Sequence, residues 1–235
     1  MDISIIIPAY NEGRTIEKVI DSLYRLLSDS EYSFQLIVVD DGSKDDTKVK
    51  AQQSLDRLEE WKGVFRLIAK ENGGKGSAIR AGIPYAEGDY IIIQDADLEN
   101  DPHDILRMLQ VIKSENLKVL YGSRFLKTES KSLYPAFYWG GRAVTLAANV
   151  LFGQRLTDEP TCYKMFSNDL LKSIDLKCKG FEFCPEVTAK VAKRGYKIKE
   201  IPISYFPRTK AEGKKVSWKD GVEALWVLLK YRFVK

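Results

Sequence analysis

A run of three isoleucines that ends in two aspartates constrains this chain more than any other feature. Ile91-Ile92-Ile93 is the uninterrupted apolar stretch of a strand buried on both faces, as strands inside a parallel sheet are. Gln94-Asp95-Ala96-Asp97 follows at its carboxyl end, the side on which open α/β sheets bind their ligands. Residues i and i+2 of an extended segment point the same way, so Asp95 and Asp97 aim at one spot. Hard carboxylate oxygens so placed suit Mg²⁺ or Mn²⁺, above all an ion shared with a substrate's phosphates. The plainer alternative is a solvated acidic turn before a helix near Pro102-His103-Asp104, and the rest of the chain has to decide between them.

The same grammar recurs upstream. Ile3 to Pro8 is a buried strand stopped by proline, and a polar loop, Ala9-Tyr10-Asn11-Glu12-Gly13, follows it. A helix from about Arg14 to Leu27 sets Ile16, Val19, Ile20, Leu23, Leu26 and Leu27 on one face. Phe34 to Val39 is a second strand, ending in Asp40-Asp41-Gly42-Ser43, and a charged helix fills roughly Asp45 to Trp61. Phe65 to Ile68 is a third strand. Glu71-Asn72-Gly73-Gly74-Lys75-Gly76-Ser77 is then a glycine-rich turn opening a helix that runs to about Tyr85. Glycines before a helix can turn backbone N–H groups toward an anion, although the spacing here is not that of the phosphate-binding P-loop. Asp89 to Gln94 is the central strand. Strand and helix thus alternate four times before residue 117, which means a mostly parallel sheet with right-handed crossovers. Several acidic strand ends on one sheet edge make a site.

Bulk properties exclude more than they assign. The chain has 235 residues, 44% of them hydrophobic and 30% charged, as an ordinary folded protein does. A net charge of +4 is too mild to imply nucleic acid, and no nucleic-acid partner is expected. The excess is uneven: acids crowd the first half, while Lys210, Lys214, Lys215, Lys219, Lys230, Arg232 and Lys235 cluster at the end. Three cysteines, Cys162, Cys178 and Cys184, lack metal-type spacing and suggest a reducing compartment. With a single histidine, His103, base chemistry and zinc sites that depend on histidine are largely excluded. Met1-Asp2-Ile3 enters a strand without a signal peptide, and no apolar run approaches the ~20 residues of a membrane span, so the body is expected to be soluble or bound at a surface.

Pro8-Ala9-Tyr10-Asn11-Glu12, Val39-Asp40-Asp41-Gly42-Ser43, Gly73-Gly74-Lys75-Gly76 and Asp95-Ala96-Asp97-Leu98 resemble, in order and spacing, the inverting family-2 glycosyltransferases of GT-A fold. Gly122-Ser123-Arg124-Phe125, Thr157-Asp158 and Pro207-Arg208 continue the match over nearly the whole chain. The branch it looks most like contains the dolichyl-phosphate mannose and glucose synthases. The resemblance implies an α/β GT-A fold and a nucleotide-sugar donor of the GDP-mannose or UDP-glucose type. It implies that Pro8, Tyr10 and Glu12 line the base and ribose, that Asp40 or Asp41 also contacts the nucleoside, and that Asp95 and Asp97 hold Mg²⁺ or Mn²⁺ bridging the diphosphate. Lys75 is placed to meet the diphosphate as a point charge, unless it is a solvated surface lysine. Glu99 either joins the metal site or only charges the next helix start.

The acceptor can be argued from its chemistry. An inverting transfer to a hydroxyl needs a base, for which Asp158 and Glu182 are the candidates. A lipid monophosphate arrives as an anion, since its second pKa lies near ~6, and needs positive charge instead. Arg124, after the strand Val119-Leu120-Tyr121, and Arg208, after a strand from Ile198 to Tyr205, can clamp such a phosphate. The expected reaction is therefore metal-dependent hexose transfer to a polyprenyl (dolichyl or undecaprenyl) phosphate. Transfer to a glycan hydroxyl is the alternative, and a non-catalytic scaffold subunit the outsider.

Two segments bear on a membrane. Tyr134 to Arg142 is an aromatic lead into a short apolar helix, Ala143 to Phe152, with Gly140, Gly141 and Arg142 breaking the run. It fits either a helix in the headgroup region or a core helix. Ser217-Trp218-Lys219-Asp220 resembles a capping box, after which Val222, Leu225, Trp226 and Leu229 share a helical face flanked by basic residues. That describes a membrane-surface helix, a packing helix, or a dock for a small membrane anchor subunit. No hydrophobic anchor follows it, which argues against stable independent anchoring. The expected organisation is one GT-A domain over residues 1–235: a nucleotide-sugar half at 1–117, an acceptor half at 118–210 and a basic amphipathic helix at 211–235. The expected location is peripheral, on the cytoplasmic face of a membrane.

Overall fold

The computed structural model describes residues 1–58, 63–126, 135–208 and 215–234. Its first half runs β1 (Ile3–Ala9), α1 (Ile16–Ser28), β2 (Phe34–Asp40), α2 (Thr47–Asp56), β3 (Val64–Ala69), α3 (Lys75–Gly82) with a 3-10 turn at Ile83–Tyr85, β4 (Tyr90–Ile93) and α4 (His103–Ser114). The second half runs β5 (Val119–Ser123), α5 (Pro135–Phe152), β6 (Lys164–Ser167), α6 (Asn168–Ser173), α7 (Phe183–Lys193), β7 (Lys199–Pro202) and α8 (Trp218–Phe233). Trp61 and Tyr134, where the sequence suggested a helix end and an aromatic lead, lie outside the described residues, as do Lys210, Lys214 and Lys235 of the basic cluster.

Seven strands make one sheet in the order β3-β2-β1-β4-β6-β5-β7. All neighbours are parallel except β6, which runs antiparallel between β4 and β5. The isoleucine runs are buried on both faces because helices cover both. Ile3, Ile5 and Ile7 of β1 pack with Ile16, Ile20 and Leu23 of α1 and with Ile105 and Met108 of α4. Ile6, Ile91 and Ile93 face the other way, onto Ile79 of α3, Leu171 of α6 and Val187 of α7. From β1 the chain moves outward to β2 and β3, then returns to the opposite flank of β1 as β4. A crevice opens beyond the carboxyl ends at such a reversal, and the loops after β1 and β4 line it.

Four local expectations are corrected. Pro8 does not stop its strand, which runs on to Ala9. Ile6 accepts Gln94 N–H on the β4 flank (2.9 Å), so Pro8, two residues on, faces that flank beyond the end of β4, where no ladder bond is lost. The helix expected from Ala143 starts at Pro135 and runs through Gly140 and Gly141. Two glycines cost about 1 kcal/mol each in a helix interior, and the packing of Val144 and Ala148 against Val227, Leu228 and Tyr231 of α8 outweighs this. The strand expected over Ile198 to Tyr205 is only Lys199–Pro202, with Tyr205 forming a separate bridge to Asn100. Strand β6 was not foreseen, since Lys164-Met165-Phe166-Ser167 carries no apolar run. Lys164 is fully buried, its ammonium donating to Glu159 O (2.5 Å) over the Tyr121 ring.

The Ser217–Asp220 capping box is present at the start of α8. Val222, Leu225, Trp226 and Leu229 do share a face of that helix, and it is the exposed one. The helix docks on the domain through Ala224, Val227, Leu228 and Tyr231.

Candidate active site

The ends of β1, β2 and β4, with the segment after β7 crossing in front of them, build the site. Asn11, at φ +51°, accepts Lys44 N–H (2.8 Å) and donates its own N–H to Ser43 Oγ (3.0 Å), joining the β1 and β2 loops. Thr15 Oγ1 donates to Ala96 O (2.7 Å), tying the β1 loop to the Asp95–Asp97 turn.

Asp40 and Asp41 part company. Asp41 accepts from Lys70 Nζ (2.6 Å), Gly73 N–H (3.0 Å) and Gly74 N–H (2.7 Å), so its carboxylate is spent shaping the glycine loop. Asp40 is equally buried, and its Oδ1 has no hydrogen-bond partner among the described residues. The glycine loop itself does not offer its N–H groups to an anion, contrary to one expectation. Gly76 and Ser77 N–H donate to Gly180 O (3.0 Å) and Lys179 O (2.9 Å). Gly74 has φ +90°, and a Cβ there would stand 2.5 Å from Lys179 O, so only glycine lets the two loops meet.

Asp95 and Asp97 converge as expected, each already facing a cation. Lys75, the first residue of α3, is no solvated surface lysine: its Nζ lies 2.5 Å from Asp95 Oδ1 and 3.1 Å from Cys162 Sγ. Arg208 Nη2 donates to Asp97 Oδ2 (2.6 Å). Burial would raise the Asp95 carboxyl, but the adjacent Lys75 ammonium holds it below the usual range. Asp97 is pushed up to about 7 by burial and by the neighbouring Asp95 and Glu99 charges, against the pull of Arg208. Glu99 neither joins the aspartates nor charges a helix start. It accepts Arg208 N–H (2.8 Å) and Tyr205 O–H (3.1 Å), pinning the crossing segment. Glu12 takes Lys215 Nζ (2.7 Å) and, at 3.5 Å, Arg208 Nη1; Lys215 also reaches Tyr10 O.

On the far side, Arg124 forms a two-pronged pair with Asp158, Nε to Oδ2 and Nη2 to Oδ1, both 2.7 Å, and donates its backbone N–H to Oδ2 (3.0 Å). Its guanidinium lies over the Tyr205 ring, 5.0 Å from the centroid. Glu200 orients this pair by accepting Asp158 N–H (2.9 Å) and Thr157 N–H (2.6 Å). Glu182 precedes α7 and accepts Lys179 N–H (2.6 Å) and Gly180 N–H (2.8 Å). Cys162, Glu200 and Lys215 escaped the sequence reading because nothing local marks them; their partners lie far along the chain. His103 is exposed and pairs with Asp101.

Among the described residues no three His, Cys, Asp or Glu side chains converge as a complete metal cage. Asp95 and Asp97 nonetheless fit a divalent ion: their oxygens are hard, largely buried, and crowded enough that the protein sets two cations against them. Mg²⁺ and Mn²⁺ commonly take one or two carboxylates and complete their shell with phosphate and water.

The sequence profile described as Glycosyl transferase family 2 matches residues 4–175. The chain belongs to glycosyl transferase family 2. Its similar relatives include a dolichyl-phosphate beta-glucosyltransferase of Trichomonas vaginalis, 27% identical over 215 residues, covering 86% of this chain and 65% of that protein. A dodecaprenyl-phosphate galacturonate synthase of Rhizobium johnstonii is 27% identical over 212 residues, covering 88% of this chain and 60% of that one. The chain therefore spans somewhat less than two thirds of the length of these relatives. Its fold matches glucosyl-3-phosphoglycerate synthase of Mycobacterium tuberculosis with uridine diphosphate bound, at TM-score 0.75 and 21% identity over 100% of this chain and 81% of that one. The same synthase with Mn²⁺, UDP-glucose and glycerol 3-phosphate matches at TM-score 0.74 and 21% identity, with the same coverage. The GT-A fold read from the family-2 motifs is thus confirmed. The matched region holds every candidate residue from Pro8 to Asp158, while Glu182, Arg208 and α8 lie beyond it.

Proposed function

We propose that this family-2 protein transfers a hexose, with inversion, from a UDP-glucose or GDP-mannose type donor to a polyprenyl phosphate. One observation carries the reading: Glu12, Asp40, Asp95 and Asp97 gather at one sheet edge, with Lys75, Arg208 and Arg124 set around them. In this reading the unpartnered Asp40 Oδ1 accepts an N–H of the base, Tyr10 supplies a ring face, Glu12 takes ribose hydroxyls, and Pro8 shapes the floor. Asp95 and Asp97 hold Mg²⁺ or Mn²⁺, which when bound supplies Lewis-acid stabilisation of the departing diphosphate. Lys75 adds a point charge to that diphosphate.

On the acceptor side, Asp158 and Glu200 set the Arg124 plane, and Nη1 has no hydrogen-bond partner among the described residues. That nitrogen, with Arg208, is disposed to take a phosphate oxygen. The engagement of both candidate bases favours a phosphate acceptor over a hydroxyl. Asp158 is committed to Arg124 and Glu182 to two backbone N–H groups, so neither is set up to collect an acceptor proton. The names of the relatives, which specify dolichyl and dodecaprenyl phosphates, point the same way.

A lipid acceptor places the protein on the cytoplasmic face of a membrane, directly or through a small anchor subunit. No helix among the described residues is long and apolar enough to cross a bilayer. Two helices do present apolar residues outward: Trp139, Leu146 and Val150 on α5, and Trp218, Val222, Trp226 and Phe233 on α8, each more than half exposed. Lys219, Lys230 and Arg232 border the α8 face, a pattern that fits an anionic surface.

The test is to incubate the protein with Mn²⁺ and labelled UDP-glucose or GDP-mannose, with and without a short-chain polyprenyl phosphate. Label should enter the organic phase only when the lipid is present. Slow donor hydrolysis without lipid product would point to a hydroxyl acceptor, and no turnover with any donor would refute the proposal.

A further inference from the structure

The two carboxylates facing the proposed metal position are not free to receive an ion. Lys75 Nζ sits 2.5 Å from Asp95 Oδ1, and Arg208 Nη2 sits 2.6 Å from Asp97 Oδ2. All four side chains are at most 18% exposed, so water replaces a lost partner poorly. Lys75 cannot leave by shedding its proton. Burial disfavours its charge, but the Asp95 carboxylate more than compensates and holds the ammonium pKa well above the ordinary lysine value.

We infer that Lys75 and Arg208 are built-in counter-ions that reserve Asp95 and Asp97, making divalent-metal binding conditional on the nucleotide diphosphate. This rests on the donor and metal reading above and adds an order of assembly to it. A divalent ion entering alone would have to expel two cations into a largely buried space already crowded with positive charge. A diphosphate brings several anionic oxygens to the same place. The ammonium and guanidinium can move onto those oxygens as the metal takes the aspartates, and every charge keeps a partner.

The two cations are unequal. Away from Asp95, Lys75 keeps only the Cys162 sulfur at 3.1 Å and the Phe181 ring at 5.7 Å, neither of which is an anion. Arg208 still has Glu12 at 3.5 Å and Glu99 at 3.6 Å. Lys75 is therefore the main gate, and Arg208 yields with less loss.

Mn²⁺ binding tests this without turnover, by titrating free Mn²⁺ through its EPR signal, with and without UDP or GDP. The proteins compared are wild type, Lys75→Met, Lys75→Gln and Arg208→Met. Wild type should bind Mn²⁺ alone at least about tenfold more weakly than with its nucleotide, a difference of about 1.4 kcal/mol. Lys75→Met should bind Mn²⁺ alone at least about tenfold more tightly than wild type and lose most of the nucleotide enhancement. Arg208→Met should shift the same way by less. Thermal melts give a second readout: Mn²⁺ alone should raise the melting temperature of Lys75→Met or Lys75→Gln more than that of wild type.

Unchanged or weaker Mn²⁺ binding by both Lys75 variants, while nucleotide still recruits Mn²⁺ to wild type, overturns the counter-ion inference and leaves the donor and metal reading standing. No Mn²⁺ on wild type with either nucleotide overturns both.

Discussion

Replacing Asp158 by Asn removes one charge and almost no volume, which makes it the sharpest probe of the acceptor side. Asp158 is 0% exposed and accepts three hydrogen bonds from Arg124. With Asn there, the guanidinium loses its counter-charge while remaining held among Tyr205, Phe125 and the end of β5. Removing one partner of a buried pair costs about 3–5 kcal/mol. Because the Arg124 side chain is 21% exposed, part of its stranded charge can be hydrated, and the loss should fall near the lower bound, about 3 kcal/mol. For a chain of this size 1 kcal/mol moves the melting temperature by about 2–4 °C, so a drop of roughly 6–12 °C is expected. Urea unfolding followed by circular dichroism, on wild type, Asp158→Asn, Arg124→Met and the double variant, measures the effect as a cycle. The double variant should lie within about 1 kcal/mol of Arg124→Met, since no charge is then left to strand. A catalytic base would behave otherwise: Asp158→Asn would keep its stability and lose turnover with donor binding intact. A stability loss below about 1 kcal/mol with an additive cycle would refute the clamp.

Three further outcomes follow from the geometry. Gly74→Ala forces a Cβ against Lys179 O at a φ of +90° and should destabilise the fold by about 2 kcal/mol; an unaltered urea midpoint would show that the two loops can separate freely. Trp139→Glu with Trp226→Glu should cut co-sedimentation with phosphatidylglycerol vesicles by at least about tenfold while stability stays within about 0.5 kcal/mol, because both rings point outward; undiminished vesicle binding would clear these faces of a membrane role. Asp2 is held down to about 2 because, although burial raises it, its bonds with Lys113 and Ser33 prevail. A carboxyl depressed on folding contributes stability above its unfolded value near 3.8 that is lost as pH falls toward about 2. The stability gap between wild type and Asp2→Asn should therefore close over that interval, and a constant gap would sink the assignment.

Much of the frame was legible in the order of residue types. The runs Ile5-Ile6-Ile7, Leu36-Ile37-Val38-Val39 and Ile91-Ile92-Ile93 can be satisfied only with both faces covered, and the helical spacing of Ile16, Val19, Ile20 and Leu23 supplies one cover. Strand β6 was invisible because its burial depends on lying between β4 and β5, not on its own composition; Lys164 is tolerated there only because Glu159 O and the Tyr121 ring await its ammonium. The outward face of α8 was read correctly as apolar, but its exposure is set by which flank α5 and α7 occupy.

By itself the sequence determined a parallel α/β frame and an acidic edge, because hydrophobic period and strand-end position are local properties that survive any packing detail. What each acid does there was decided by the tertiary structure. Asp41 is taken by the glycine loop while Asp40 keeps a free oxygen; Asp158 belongs to Arg124, and Asp97 to an arginine more than a hundred residues away. A charged side chain in a largely buried site is defined by its nearest counter-charge, and such partners are brought together by the fold and not by adjacency in the chain.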